Sequence, residues 1–225
     1  AALAAWNIIP DDSAGIPLNL TATGRFLLHI LDLAQPQITS EALLVILKHP
    51  LAHSGQERGQ HLLNTRDLEV YLRRRGPAFL SPQTLLRWSK DKDHYSLWVS
   101  WIIDCVFTQW PTSSQPLAHW LDHHCIIARR LSDGPIGKDG SLWKQAPGRD
   151  TKLAIDELAL HATAAGDVEF PDYNAILRGV LSTGETRDKN IAHPNILIWG
   201  TLEARVQSAD LVILAGLNDG TWPEP

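Results

Sequence analysis

The stretch that decides the fold is residues 193–223, HPNILIWGTLEARVQSADLVILAGLNDGTWP. It contains a short β-rich run, NILIWG, a short helical segment, TLEARVQS, and a second apolar run, DLVILAGL. An uninterrupted apolar run bounded by turn residues is typical of a strand buried on both faces of a parallel sheet. The pattern therefore predicts two parallel strands, residues 196–199 and 211–217, joined by an unusually short helical crossover.

The N-terminal stretch WNII, followed by PDDSAG, is a candidate third strand of the same sheet. If residues 7–9 join that sheet, the two ends of the sequence meet, and everything between them is an insertion. The sequence thus predicts an α/β fold that is predominantly helical, with its parallel strands at the two ends.

The insertion shows helical patterns along most of its length. Apolar residues recur at helical spacing in TATGRFLLHILDLAQ, and TSEALLVILKHP runs from a Thr39 or Ser40 cap to a proline stop. HLLNTRDLEVYLRRRG ends at Gly76, which we expect to adopt the left-handed capping conformation, and SPQTLLRWS opens with Ser81 as its cap. Two tryptophan-rich helices, a loop containing GPIGKDG, and two further helices follow.

Composition sets limits on the function. The chain has 225 residues, 44% of them hydrophobic and 20% charged, which predicts a globular protein with a sizeable core. A formal net charge of −5 gives no global sign of nucleic-acid or membrane-surface binding, so any DNA contact must be local. Two cysteines within apolar helical patterns favour a reducing cytoplasm over a disulfide framework. The absence of methionine indicates either an excerpt of a longer chain or modified methionines that are missing from the sequence. The N-terminus lacks the features of a signal peptide, and we expect a cytoplasmic protein.

Two arginine clusters are the strongest local basic patches. The first comprises Arg73, Arg74 and Arg75, and the second Arg129 and Arg130. Either cluster could hold a DNA backbone, because a guanidinium group binds phosphate through a planar fork of donors. The alternative is a solvated helix face whose charges complement the helix dipole.

Three polar clusters are weaker candidates for chemistry. His119, His123, His124 and Cys125 in HWLDHHC could bind zinc, although no second His or Cys pair lies nearby at metal spacing. GPIGKDG has the glycines and lysine of a phosphate loop, but Asp139 replaces the expected Ser or Thr, which favours a flexible turn. The DDS cluster, residues 11–13, offers carboxylates for acid-base catalysis or caps a turn.

Three stretches in the same order carry a family resemblance. PDDSAGIPL (10–18), ALLVILKHPLAHSG (42–55) and residues 193–223 resemble the alphaproteobacterial form of the AddB subunit of the AddAB helicase-nuclease. The resemblance implies RecBCD-like processing of double-strand breaks for recombinational repair, with DNA and an AddA-type motor and nuclease subunit as partners and no membrane. It implies a cytoplasmic, nucleoid-associated location. ATP with magnesium and an iron-sulfur cluster are expected only in the full complex, with no cofactor in this internal fragment.

The resemblance also implies the domain organisation. In helicases of this kind the second P-loop motor domain is split in sequence around a helical insertion. Residues 1–38 would form its first part, 39–190 a mostly helical insertion, and 191–225 the return, which carries the DNA-contacting motif V. On that basis the fold is a partial helicase-like second motor domain with a large helical insertion.

Motif V is degenerate in this sequence. In the helicase pattern T-x-H-x-x-K-G-x-E, the lysine position is the only one that holds a residue of the same charge, Arg205. The threonine, histidine, glycine and glutamate positions hold, in that order, Gly200, Leu202, Val206 and Ser208. The resemblance therefore implies a motor fold that no longer drives translocation. Arg205 could still hold a phosphate, or could pair with Glu203 or Asp210. Trp222 follows the turn after the second predicted strand, where ligands of open α/β sheets bind, and is the best candidate for stacking on DNA.

These observations leave three hypotheses. The first is a catalytically silent helicase-like segment that binds or scaffolds DNA, with Arg205, Trp222 and the two arginine clusters as its contacts. The second is a helical scaffold that docks the partner motor subunit without touching DNA. The third, more remote, is a metal-dependent hydrolase centred on His119, His123 and Cys125. No Walker-type loop or nuclease carboxylate cluster is present, so the fragment itself is expected to be non-catalytic.

Overall fold

A computed structural model describes residues 2–12, 15–187 and 193–215 of the chain. The chain divides into two compact units, a terminal unit formed by residues 1–14 with 189–225 and a helical unit formed by residues 15–188. The α-helices are α1 Ala2–Ala5, α2 Ala22–Leu33, α3 Ser40–Lys48, α4 Arg58–Arg75, α5 Pro82–Ser89, α6 Ser96–Val106, α7 Leu117–Asp133, α8 Ala146–Leu160, α9 Phe170–Thr183 and α10 Thr201–Val206. The strands are β1 Pro10–Asp12, β2 Ile16–Pro17, β3 Ile38–Thr39, β4 Phe79–Leu80, β5 Gln115–Pro116, β6 Asp167–Val168, β7 Glu185–Thr186 and β8 His193–Ile198.

The terminal unit is built on a parallel pair of strands from opposite ends of the sequence. β1 pairs with β8, with Asp11 opposite Leu197 and Asp12 opposite Ile198, and the register shifts between Pro10 and Asp11. The backbone N–H of His193 also donates to the carbonyl oxygen of Ile9 at 2.6 Å. The prediction that the two ends meet is therefore confirmed, although the N-terminal strand is residues 10–12 rather than 7–9.

The predicted second C-terminal strand is wrong for the residues that the structure describes. Residues 211–215 form no strand, and the side chains of Leu211, Val212, Ile213 and Leu214 are 68% to 80% exposed. A strand exists only where a neighbouring backbone accepts and donates its hydrogen bonds, and an apolar run does not supply that neighbour. The crossover helix is present as α10, and β8 extends three residues earlier than predicted, from His193.

The helical unit contains the hydrophobic core. Among the described residues, every buried apolar side chain, from Leu18 to Leu181, lies in this unit. Helix α2 packs against α3, α7, α8 and α9, because its residues Phe26, Leu27, Ile30 and Leu31 are buried along one face, as their helical spacing predicts. Residues 15–38 therefore belong to the helical unit.

Three antiparallel ladders of two residues each tie the helical unit together. β3 pairs with β4, β5 with β6, and β2 with β7. All but β7 directly precede a helix or a short 3-10 turn, so the ladders fix where those helices begin. The β2–β7 ladder joins the first and last residues of the unit, with Ile16 opposite Thr186, so that the chain enters and leaves the unit at one place.

The ends of the helices match the sequence in part. Thr39 caps α3, its hydroxyl accepting a hydrogen bond from the N–H of Ala42 at 3.1 Å. Ser81 occupies the cap position of α5, but its side chain makes no capping hydrogen bond. Gly76 ends α4 at φ −70°, so the expected left-handed cap is wrong; a Cβ there would instead lie 2.5 Å from the carbonyl oxygen of Leu72. Among the helices of the described ranges, none combines the length and apolar character needed to cross a bilayer.

Candidate functional site

Arg205 lies in the last turn of α10, which begins three residues after β8 ends. Its side chain is exposed, and it forms no ion pair with any residue in the described ranges. The alternative pairing with Glu203 or Asp210 is therefore not formed. Trp222, the predicted stacking residue, lies outside the described residues. The terminal unit thus offers one exposed guanidinium group that no described carboxylate neutralises.

The first arginine cluster is exposed at the C-terminal end of α4. Arg73 Nη2 lies 2.6 Å from Glu69 Oε1, one turn earlier, and Lys48 Nζ lies 2.6 Å from the other oxygen of the same carboxylate. The hydrogen bond from Lys48, together with the two positive charges, lowers the pKa of Glu69. Arg74 and Arg75 form no such pair in the described structure and remain available at the helix end, where they complement its dipole.

The second arginine cluster is on the exposed side of α7. Arg130 Nη2 lies 3.6 Å from Asp104 Oδ2, and the Arg130 carbonyl oxygen accepts a hydrogen bond from Trp101 Nε1 at 2.9 Å. Arg129 is exposed and makes no ion pair with a described residue. This cluster is thus a partly neutralised helix face.

The structure does not bring the two arginine clusters together. Trp101, whose indole N–H donates to the Arg130 carbonyl oxygen, marks the position of the second cluster. The ring centroid of Trp101 lies 5.7 Å from that of His61, a residue near the start of α4. Arg73 follows His61 by twelve positions on the same helix, a distance of about 18 Å at 1.5 Å per residue. The two clusters are separate patches rather than one continuous track for a phosphate backbone.

Two of the four candidate zinc ligands, His124 and Cys125, pack within the helical unit, whereas His119 is exposed. His124 is 2% exposed; its Nε2 donates to the carbonyl oxygen of Leu27 at 3.1 Å, and its Nδ1 accepts from the hydroxyl of Tyr173 at 2.7 Å. Burial lowers the pKa of His124 to about 3 and raises that of Cys125 to about 11. In the part of the chain that the structure describes, no group of three or more His, Cys, Asp or Glu side chains is arranged to hold a metal ion. This arrangement gives no support to the hydrolase hypothesis.

The GPIGKDG loop packs against the LAHSG segment, a contact that sequence reasoning missed. The N–H of Gly140 donates to Asp133 Oδ1 at 3.1 Å, and the N–H of Ser141 donates to Ser54 Oγ at 2.8 Å. Protein acceptors thus occupy two amides that a phosphate loop would direct at its ligand, which supports a structural turn. Glycines recurring in both segments were the available signal, since they permit close approach of the two backbones.

His53 is the strained residue at this contact. It adopts φ +43° although it is not glycine, its side chain is buried, and its Nδ1 has no hydrogen-bond partner. Its ring lies against Gly134, where a Cβ would come within 2.1 Å of His53 Cδ2. Burial lowers the pKa of His53, although the negative charges of Glu57 and Asp139 act to raise it. A shallow cavity of about 300 Å³ is lined by His53, Gln56, Glu57, Ile136, Gly137, Lys138 and Asp139.

Comparisons with known proteins add no relative. The chain matches no family model, no curated protein and no solved structure.

Proposed function

We propose that this chain is a catalytically silent, helicase-like segment of an AddB-type subunit, which binds single-stranded DNA in a complex that processes double-strand breaks. The exposed Arg205, on the helix after the parallel strand β8, is the observation that carries the proposal. In the pattern of motif V it occupies the basic position, and a guanidinium group with no described partner is free to bind a phosphate oxygen.

The topology gives the proposal further support. A split motor domain needs strands from both ends of the chain to pair in parallel around an insertion, and β1 and β8 pair in that way around the helical unit. Parallel strands have their carboxyl ends at one edge, and ligands of open α/β sheets bind beyond that edge. Arg205 follows β8 on that side of the chain, in α10.

Salt dependence of DNA binding tests the role of Arg205. We would titrate a fluorescein-labelled oligo(dT) with the 225-residue chain, alone and with the AddA-type subunit, at a series of NaCl concentrations. Loss of one phosphate contact in Arg205→Ala should reduce the slope of log affinity against log salt by about 0.7. Arg205→Lys should keep the slope and lose part of the affinity, because the charge remains and the donor fork is removed.

The matched control is Arg87→Ala, which removes an exposed arginine of α5 that has no ion pair within the described residues. If Arg205→Ala and Arg87→Ala give the same slope as the parent chain, the role of Arg205 is wrong.

Trp222→Ala extends the test to the sequence-based stacking residue: it should weaken binding by about 1–3 kcal/mol with little change in slope.

A second candidate function is a scaffold that docks the partner motor subunit without contacting DNA. Apolar side chains of the terminal unit favour it, since Trp6, Leu202 and Val206 are 73% to 83% exposed. A contiguous exposed apolar patch marks a protein, membrane or ligand interaction site. Stable co-purification with an AddA-type subunit, combined with oligo(dT) affinity too weak to measure at low salt, would select this function over the first.

A further inference from the structure

A large cavity of the helical unit has no arginine among its lining residues. It has a volume of about 860 Å³ and is formed by the connection after α2 and the connection between α6 and β5. A neighbouring cavity of about 560 Å³ shares the walls at residues 34–36 and 110–113 and extends to the start of α9. We name the two together the Trp110 groove.

The apolar wall of the groove is a supported aromatic platform flanked by prolines. The Trp110 ring stacks at 6.4 Å on Trp120, which is fully buried, and meets the edges of His123 at 4.9 Å and Phe170 at 5.6 Å. These contacts hold the indole in one orientation. The prolines of the wall are Pro36, Pro111 and Pro171.

Several polar groups of the groove are hydrogen-bond donors with no partner among the described residues. Trp98, Trp101 and Trp120 each donate their indole N–H within the protein, whereas Trp110 Nε1 donates to no described residue. Asn174 uses its Oδ1 to accept from Arg178, which leaves its amide nitrogen available. The side-chain amides of Gln35 and Gln109 also line the groove and are exposed.

The charge of the groove excludes a phosphate backbone as its occupant. Among its lining residues, all within the described ranges, there is no lysine or arginine, and Glu169 is the only acidic residue. Burial lowers the pKa of His123, so this side chain is neutral at physiological pH, and its buried Nε2 has no hydrogen-bond partner. A ligand that fits these groups is uncharged, carries hydrogen-bond acceptors and is apolar on one side.

We propose that the Trp110 groove binds a proline-rich segment of a partner protein in the polyproline II conformation. Such a segment makes no internal hydrogen bonds, so its carbonyl oxygens are free to accept from Trp110, Gln35 and Gln109. Its pyrrolidine rings pack flat on an aromatic platform, and its rigidity keeps the entropic cost of binding low. The inference goes beyond the proposed DNA binding and does not depend on it.

The test uses the 225-residue chain and two fluorescein-labelled peptides, decaproline and a Gly-Ser peptide of equal length, followed by fluorescence anisotropy. Decaproline should bind, and the Gly-Ser peptide should not. The double variant Gln35→Glu/Gln109→Glu keeps the side-chain size and removes both donors, and should weaken decaproline binding about tenfold. Trp110→Ala should weaken it about 30-fold, as truncation of a tryptophan at the centre of an interface does.

Gln83→Glu is the matched control, because it makes the same change at an exposed position of α5 outside the groove, and it should bind like the parent chain. Thermal unfolding of each variant separates lost binding from lost folding, and the double variant tests the proposal even if Trp110→Ala fails to fold. Decaproline binding no tighter than the Gly-Ser peptide overturns the proposal. So does oligo(dT) binding that the double variant abolishes, since that result assigns the groove to nucleic acid.

Discussion

At the scale of single residues, Gly134 has two independent reasons to lack a side chain. Its φ is +83°, and a Cβ would lie 2.1 Å from the ring of His53. Gly134→Ala should therefore destabilise the protein by about 3 kcal/mol, combining the left-handed backbone penalty with the cost of displacing a buried ring. Urea unfolding of the variant against the parent chain measures this difference.

Two other glycines separate the contributions. Gly166 has φ +65° with no atom within 4 Å of a Cβ, so Gly166→Ala should show the backbone penalty alone, about 1 kcal/mol. Gly179 lies within α9 with open space around it, and Gly179→Ala should stabilise the helix by up to about 1 kcal/mol. Equal costs at Gly134 and Gly166 would show that the contact with His53 is not tight.

Several histidines whose pKa is lowered by burial make the stability depend on pH, and His61 and His124 are the least exposed of them. His61 donates from Nε2 to the Leu47 carbonyl oxygen and accepts from Trp98 Nε1, while His124 is bonded to Leu27 and Tyr173. Burial lowers the pKa of His61 to about 4 and that of His124 to about 3. The unfolded chain, in which a histidine pKa is about 6.5, binds more protons below that pH, so the stabilisation is complete above it and is lost as the pH falls.

Each of these histidines should reduce the free energy of unfolding by up to about 1.4 kcal/mol per pH unit between about pH 6 and pH 5. Urea unfolding at pH 7.5, 6 and 5 tests the prediction. His61→Gln, if it folds, should have a smaller slope than the parent, whereas His161→Gln, at an exposed position, should retain the parent slope. Stability that does not change over this range would contradict the assignment of two neutral, buried imidazoles.

At the scale of elements, the capping residues of α3 and α5 differ in a measurable way. Thr39 accepts a hydrogen bond from the N–H of Ala42, whereas Ser81 caps no backbone group and lies 3.2 Å from the hydroxyl of Thr84. Thr39→Ala should cost about 1 kcal/mol, and Ser81→Ala only a few tenths. Equal losses in chemical unfolding would mean that the capping bond of Thr39 contributes nothing.

Sequence patterns predicted the helices better than the strands, for a physical reason. The burial of Phe26 and Leu27 depends on the spacing within one helix, which local sequence contains. A two-residue ladder such as β3–β4 depends on a partner about forty residues away, and no local pattern encodes that partner. The same limitation explains the error at residues 211–215, where the apolar pattern was real and the expected pairing was absent.

The candidate sites followed the same rule. An unpaired Arg205 was one of two predictions from the sequence, whereas the partial neutralisation of Arg130 was not predictable, because Asp104 belongs to another helix. The Trp110 groove was not predicted from the sequence, because its walls come from connections that are distant in sequence. Tryptophan content alone favours a core position, and only the structure distinguishes Trp110, with its unbonded N–H, from Trp120.

At the scale of the whole molecule, the helical unit should fold without the terminal unit. It holds all of the apolar side chains recorded as buried, and its first and last strands pair with each other. The N–H of Leu18 donates to the Gly184 carbonyl oxygen at 2.8 Å, and Thr186 donates its hydroxyl to Asp150, so both ends are fixed. A fragment of residues 15–188 should unfold cooperatively at nearly the same urea concentration as the full chain.

The matched control is a fragment of residues 22–183, which keeps the helices and lacks the β2–β7 ladder. It should be less stable than the longer fragment, because Leu18 and Thr186 are both buried. A longer fragment without a cooperative transition would show that the terminal unit is required for folding.

The β2–β7 ladder also bears on the order in which the chain folds. β1 and β8 lie more than 180 residues apart in sequence, and closing a flexible loop of that length costs about 5 kcal/mol in chain entropy. Once the helical unit is folded, its two ends are paired, so most of the loss of chain entropy has already occurred. Two short linkers then connect β1 and β8 to these ends. Formation of the parallel pair should therefore be the late kinetic step, because the folded helical unit shortens the loop that has to close between the two strands.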